Sequence, residues 1–128
     1  MAALTNFYRA VTYRGREGYI GWLLHRIAGI GVFLFLALHI FDIFLMSFGP
    51  GVFESLLFIY HKFAFKLLII FGLYPGLLYH ALNGMRVVTM DFWPAMGKYE
   101  ARLFWAQIVV FTAAYVPSAT LMFMAMFR

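Results

Sequence analysis

Three apolar stretches, at about residues 22–46, 61–88 and 102–127, dominate this chain, and each is long enough to cross a bilayer as an α-helix. A segment in hydrocarbon must pair its own backbone N–H and C=O groups, so the pattern predicts an all-α, multi-pass membrane fold. Residues 30–38, the centre of the first stretch, are uncharged. With 65% of its 128 residues hydrophobic and 12% charged, the chain lies outside the range of ordinary soluble domains. It reads as a single domain, a polar and aromatic arm over residues 1–21 followed by the three spans. Ser47-Phe48-Gly49-Pro50-Gly51 is a turn. After it, residues 52–60 form a short interfacial helix or an irregular loop, and residues 91–101 a polar connection. No cleavable leader is expected, because the first apolar run lacks a cleavage site and is long enough to stay in the membrane. The absence of cysteine excludes disulfides and thiolate metal sites.

Lysine and arginine near the span ends set the orientation. Arg9, Arg14, Arg16, Arg26, Arg86, Lys98 and Arg102 fall on one side of the membrane, against Lys62, Lys66 and Arg128 on the other. The excess places the N-terminus in the cytoplasm. The net charge of +5 is therefore a topology signal, and no nucleic-acid partner is expected. Three spans read in this order bring His25 and Arg26 to the same membrane side as Arg86 and Asp91.

Gly72, Gly76, His80 and Gly84 recur every fourth position and predict one helical stripe with a single imidazole among missing side chains. Glycines there are explained by close helix packing; an imidazole in hydrocarbon needs a partner. His80 is therefore either a haem or metal ligand or an interhelical hydrogen-bonding group. If it binds haem b, the second axial ligand must come from another residue or another subunit. Arg26 is either a snorkelling anchor or a cationic donor to an amphiphile's carbonyl or a haem propionate. His39 and Asp42 form a hydrogen-bonded pair or a second ligand with its orienting neighbour, and the helical rise separates His39 from His25 by about 20 Å. His61 reads as interfacial. Phosphate loops, dinucleotide fingerprints and paired intramembrane carboxylates are absent, and three short spans do not enclose a transport pathway.

His80-x-x-x-Gly84-Met85-Arg86 followed by Asp91, the segment Leu24-His25-Arg26-Ile27-Ala28-Gly29 and the arm Tyr13-Arg14-Gly15-Arg16-Glu17-Gly18 together resemble the cytochrome b556 subunit of succinate dehydrogenase. That family is the larger membrane anchor of respiratory complex II, in the tricarboxylic acid cycle and electron transport of the bacterial inner membrane. The resemblance implies three helices forming half of a heterodimeric helical anchor. It also implies a flavoprotein subunit that oxidises succinate, an iron–sulfur subunit that passes electrons inward, and a second small anchor, with a trimer of whole complexes also possible. The cofactor would be haem b and the substrate a quinone, either ubiquinone or menaquinone. His80 would be one axial ligand, the companion anchor supplying the other histidine. Arg26 would help form the quinone site, His25 and Arg86 would contact the propionates, and Asp91 would organise the adjoining loop or the contact with the soluble subunits. Succinate itself would not bind to this chain.

Two positions depart from the family pattern. Trp22 stands where better-known members carry a quinone-site serine, and Val87 where histidine or phenylalanine is frequent. Some relatives hold two haems, which would give His39 a role as a distal ligand. Two other activities fit the same residues: a quinol-dependent fumarate reductase, and a structural anchor without haem.

Overall fold

A computed structural model describes residues 17–127. Arg9, most of the Tyr13–Gly18 arm motif and Arg128 lie outside the described residues. The described chain is helical in all its regular structure: α1 (Glu17–Met46), α2 (Pro50–Tyr60), α3 (Phe63–Leu68), a π-helical turn (Ile69–Leu73), α4 (Tyr74–Phe92), a 3-10 segment (Pro94–Tyr99) and α5 (Glu100–Ala125). Three rods, Glu17–Met46, Phe63–Phe92 and Pro94–Ala125, are long and apolar enough to cross a membrane. The protein is a multi-pass membrane protein.

The first turn behaves as its sequence demands. Gly49 adopts φ 110°, a conformation that side chains resist, and Pro50 then opens α2 at its first position. Residues 52–60 are thus helical rather than looped. Tyr60, at the end of α2, donates its hydroxyl to Asp42 of α1 and ties the two helices at this corner. Burial, with Asp42 beside it, pushes the Tyr60 hydroxyl up to about 12. The expected His39–Asp42 pair is therefore replaced: the carboxylate is engaged by Tyr60, and the His39 ring stacks on Phe35 with centroids 5.7 Å apart.

Pro75 shapes the second rod through what it lacks. The backbone upstream winds into a π turn in which the Tyr74 N–H reaches the Ile69 carbonyl. The next bond in that register would run from residue 75 to Ile70, but proline has no N–H to give. Tyr115 of α5 fills the gap, donating its hydroxyl to the Ile70 carbonyl at 3.0 Å. The predicted glycine stripe divides. Gly72, inside the π turn, and Gly76 line a groove of about 450 Å³ with Leu24, Ala28 and Gly31, and that groove does not include His80. Further on, Asp91 belongs to the last turn of α4 rather than to a loop, and the chain reverses through the 3-10 segment opened by Pro94.

α4 packs against both α1 and α5, and the interior they share is unusually polar. Its buried residues include Ile70, Tyr79, Phe104 and Ala119 alongside Asn83, Arg86 and Gln107, whereas large apolar side chains such as Ile30, Phe33 and Val109 point outward. Hydrocarbon outside gives apolar residues no reason to turn inward, and polar residues have nowhere else to go. Tyr115→Phe keeps the ring but orphans the buried Ile70 carbonyl. It should destabilise the fold by about 1–3 kcal/mol, read as a lowered unfolding temperature of the detergent-solubilised protein with the helical content unchanged.

Candidate functional site: the His25–His80 junction

Two histidines meet between α1 and α4. The rings of His25 and His80 lie nearly parallel, with centroids 4.0 Å apart and an interplanar angle of 9°. The His80 Nδ1 is 3.2 Å from the His25 carbonyl oxygen. A carbonyl can only accept, so Nδ1 carries the proton, and the lone pair of the neutral ring sits on Nε2. The approach depends on glycine. A Cβ on Gly29 would stand 3.0 Å from His80 Cε1, and one on Gly84 would meet His25 Cε1 at 3.7 Å. Gly29 of α1, rather than Gly76 of its own helix, is the glycine that makes room for His80.

Less than two turns along α4 from His80, toward the cytoplasmic end predicted from the charges, lies Arg86, only 7% exposed although charged. Its guanidinium packs over Phe104 at 5.4 Å and against Gly21, where a Cβ would be 3.0 Å from both terminal nitrogens. Glu100 is its ion-pair partner, at a long 4.0 Å. Gly18 is equally constrained, because a Cβ there would collide with the Glu100 carboxylate. Gly18, Gly21, His25 and Gly29 thus form the face of α1 that receives α4 and α5. The sequence carried that spacing, but the reading centred on the stripe of the other helix.

The remaining candidates separate from this junction. Arg26 faces away from it, exposed, with its guanidinium 4.4 Å above the Trp22 indole. His39 is exposed further along α1, and His61 donates from Nδ1 to the Leu57 carbonyl at 2.7 Å, as befits an interfacial residue. Asp91 and Val87 are exposed. The structure therefore brings His25, His80 and Arg86 together and leaves Arg26 beside them on the outer side of α1.

The donor set suits one kind of metal. Among the described residues no three His, Cys, Asp or Glu side chains converge to hold a bare ion. An iron whose equatorial bonds come from a macrocycle asks the protein only for axial ligands. His80 fits that demand, its Nδ1–H held by a carbonyl and its Nε2 left for a ligand bond.

Comparison with known proteins is decisive on the family. Residues 5–116 match the model of the succinate dehydrogenase/fumarate reductase transmembrane subunit. The chain belongs to this family. It is also 36% identical over 106 residues to the succinate dehydrogenase 2 membrane subunit SdhC of Mycobacterium tuberculosis, an alignment covering 83% of this chain and 77% of that protein. This transmembrane subunit is the membrane anchor of a succinate:quinone oxidoreductase, associated with flavoprotein and iron–sulfur subunits, and the family carries haem b and works with membrane quinone. Within the anchor, the glycine contacts make a sharp prediction. Gly29→Val should displace the His80 ring and lower the haem absorbance of the purified complex, while Gly84→Ala, with ordinary contact distances, should leave it unchanged.

Proposed function

We propose that His80 Nε2 binds the iron of haem b from one side, a histidine of the companion small anchor binds it from the other, and Arg26 serves a quinone beside them. The observation carrying this reading is the His80 Nδ1–His25 carbonyl bond, which fixes the tautomer an iron ligand needs. Haem b, when bound, supplies a one-electron carrier between the iron–sulfur subunit and the quinone. His25, stacked on His80, is placed to meet a propionate, and Arg86 adds positive charge from directly behind it. Both make the anionic propionates easier to hold in a low-dielectric setting.

Arg26 would act on the substrate. Its guanidinium rests on the Trp22 indole, which leaves the N–H edges free to donate to a quinone carbonyl oxygen and to stabilise the negative charge that grows there on reduction. Trp22 offers no hydroxyl donor of the kind a serine would give and instead supports the guanidinium. Asp91, exposed at the end of α4, is suited to the contact with the soluble subunits, and Val87 to an apolar one with lipid or the companion anchor. A single haem is favoured, because the carboxylate that would orient His39 is engaged by Tyr60.

The charge distribution supports an N-terminus in the cytoplasm of a bacterial cell, with the chain as a single anchor domain in the inner membrane, paired with a second small anchor and open to a trimer of complexes. His80→Ala in the assembled complex should abolish or alter the haem b absorption; an unaltered spectrum would overturn the ligand assignment. Arg26→Ala should lower quinone reduction at least tenfold while succinate oxidation by an artificial acceptor is retained. Equal loss of both activities would instead mark a failure of assembly.

A further inference from the structure

Beside the imidazole junction, α1, α4 and α5 enclose a polar seam in which Asn83 and Gln107 have no part in the proposed haem and quinone chemistry. Tyr79, Asn83 and Arg86 follow one another at i, i+4 and i+7 on α4, spanning about 10 Å. Facing them on the antiparallel α5 are Gln107, Phe104 and Glu100. Asn83 is 1% exposed and Gln107 7%, so both are as sheltered as the apolar core around them. Tyr79 donates its hydroxyl over a long 3.4 Å to the Gly21 carbonyl and has the Gln107 amide beside it.

The seam is full of unmet hydrogen-bonding capacity. Among the described residues, Asn83 Oδ1, both side-chain polar atoms of Gln107, Arg86 Nε and Nη1, and His25 Nδ1 are buried without a well-formed hydrogen bond, Gln107 standing beside the Tyr79 hydroxyl. An orphaned buried group costs stability, more when it belongs to a charged side chain. The chemistry of the set selects the ligand. Of the five atoms on Asn83, Gln107 and Arg86, two, Asn83 Oδ1 and Gln107 Oε1, require a donor; three, Gln107 Nε2, Arg86 Nε and Arg86 Nη1, require an acceptor. An anion cannot serve the oxygens, and a cation is repelled by the guanidinium. Only a small molecule that both donates and accepts satisfies them all.

We propose that this seam is an internal water-binding site, with at least two ordered water molecules bridging Asn83, Gln107 and Arg86 between the three helices. The waters solvate the Arg86 guanidinium, whose ion-pair partner among the described residues, Glu100, stands 4.0 Å away, and so allow a cation to remain buried next to His25. They enter from the end of the seam marked by Glu100. There a polar surface depression of about 230 Å³, lined by Glu17, Gly18, Gly97, Lys98, Glu100 and Ala101, opens beside the ion pair. The site does not depend on the identity of the haem ligand.

A cryo-EM or crystallographic map of the intact complex, at a resolution that shows water, tests this directly. Density for two or more waters within hydrogen-bonding distance of Asn83, Gln107 and Arg86 is expected. Direct bonding of Asn83 to Gln107 with no water between them would overturn the proposal. A thermal-stability cycle gives a second reading: Asn83→Leu and Gln107→Leu should each lower the unfolding temperature of the complex. The double variant, which removes both ends of the bridge, should lose clearly less than the sum of the two. Strictly additive losses would contradict a shared water bridge. If a variant fails to assemble, the map of the native complex still decides the question.

Discussion

In a bilayer, nothing outside the helices can satisfy a polar group, and most of this fold follows from that constraint. Water would reward the burial of the many isoleucines, leucines and phenylalanines; lipid does not, and they are left on the outer surface. What the three helices hold between them is their polar inventory. Tyr115 satisfies the carbonyl left open by Pro75, Tyr60 satisfies Asp42, the His25 carbonyl takes the His80 proton, and Glu100 faces Arg86.

The same constraint links architecture to electron transfer. An imidazole that must pair inside the protein at one nitrogen is thereby oriented, and in the neutral ring the lone pair then lies on the other nitrogen, the atom that binds iron. The glycines of α1 let the two helices come close enough for the pairing, and a π turn, absorbing Pro75 two residues beyond its start-to-end span, precedes the helical segment that carries His80. Arg86 illustrates the cost of putting a cation in the same place. It needs Gly21 and Gly18 to make space, Phe104 for its face and Glu100 for its charge, and it still leaves two nitrogens unpaired by protein.

Much of this was legible from residues alone. The three spans follow from composition and run length, and the turn at Gly49-Pro50 from local chemistry. The meeting of the His25 end of α1 with the Arg86 end of α4 follows from counting passes through the membrane. The motif around His80 also led to the right family. Interhelical detail was not legible, for a physical reason: periodicity describes one helix at a time. It placed Gly76 with His80, but Gly72 and Gly76 line a separate groove, and the space around His80 is made by Gly29 on another helix. Spacing suggested that Asp42 pairs with His39, three residues away, whereas Tyr60 reaches it from across a turn. Asn83 and Gln107 look like unremarkable polar interruptions until α4 and α5 are seen side by side.

The central claim is that His80 is bonded to haem iron through Nε2, opposite a histidine of another chain. Near-infrared magnetic circular dichroism of the oxidised complex reads axial ligands directly, in the native protein and in His80→Met. The native complex should show a bis-imidazole iron, and the variant should either change to imidazole–methionine ligation or lose the haem. A bis-imidazole signal that persists unchanged in the variant would contradict the account.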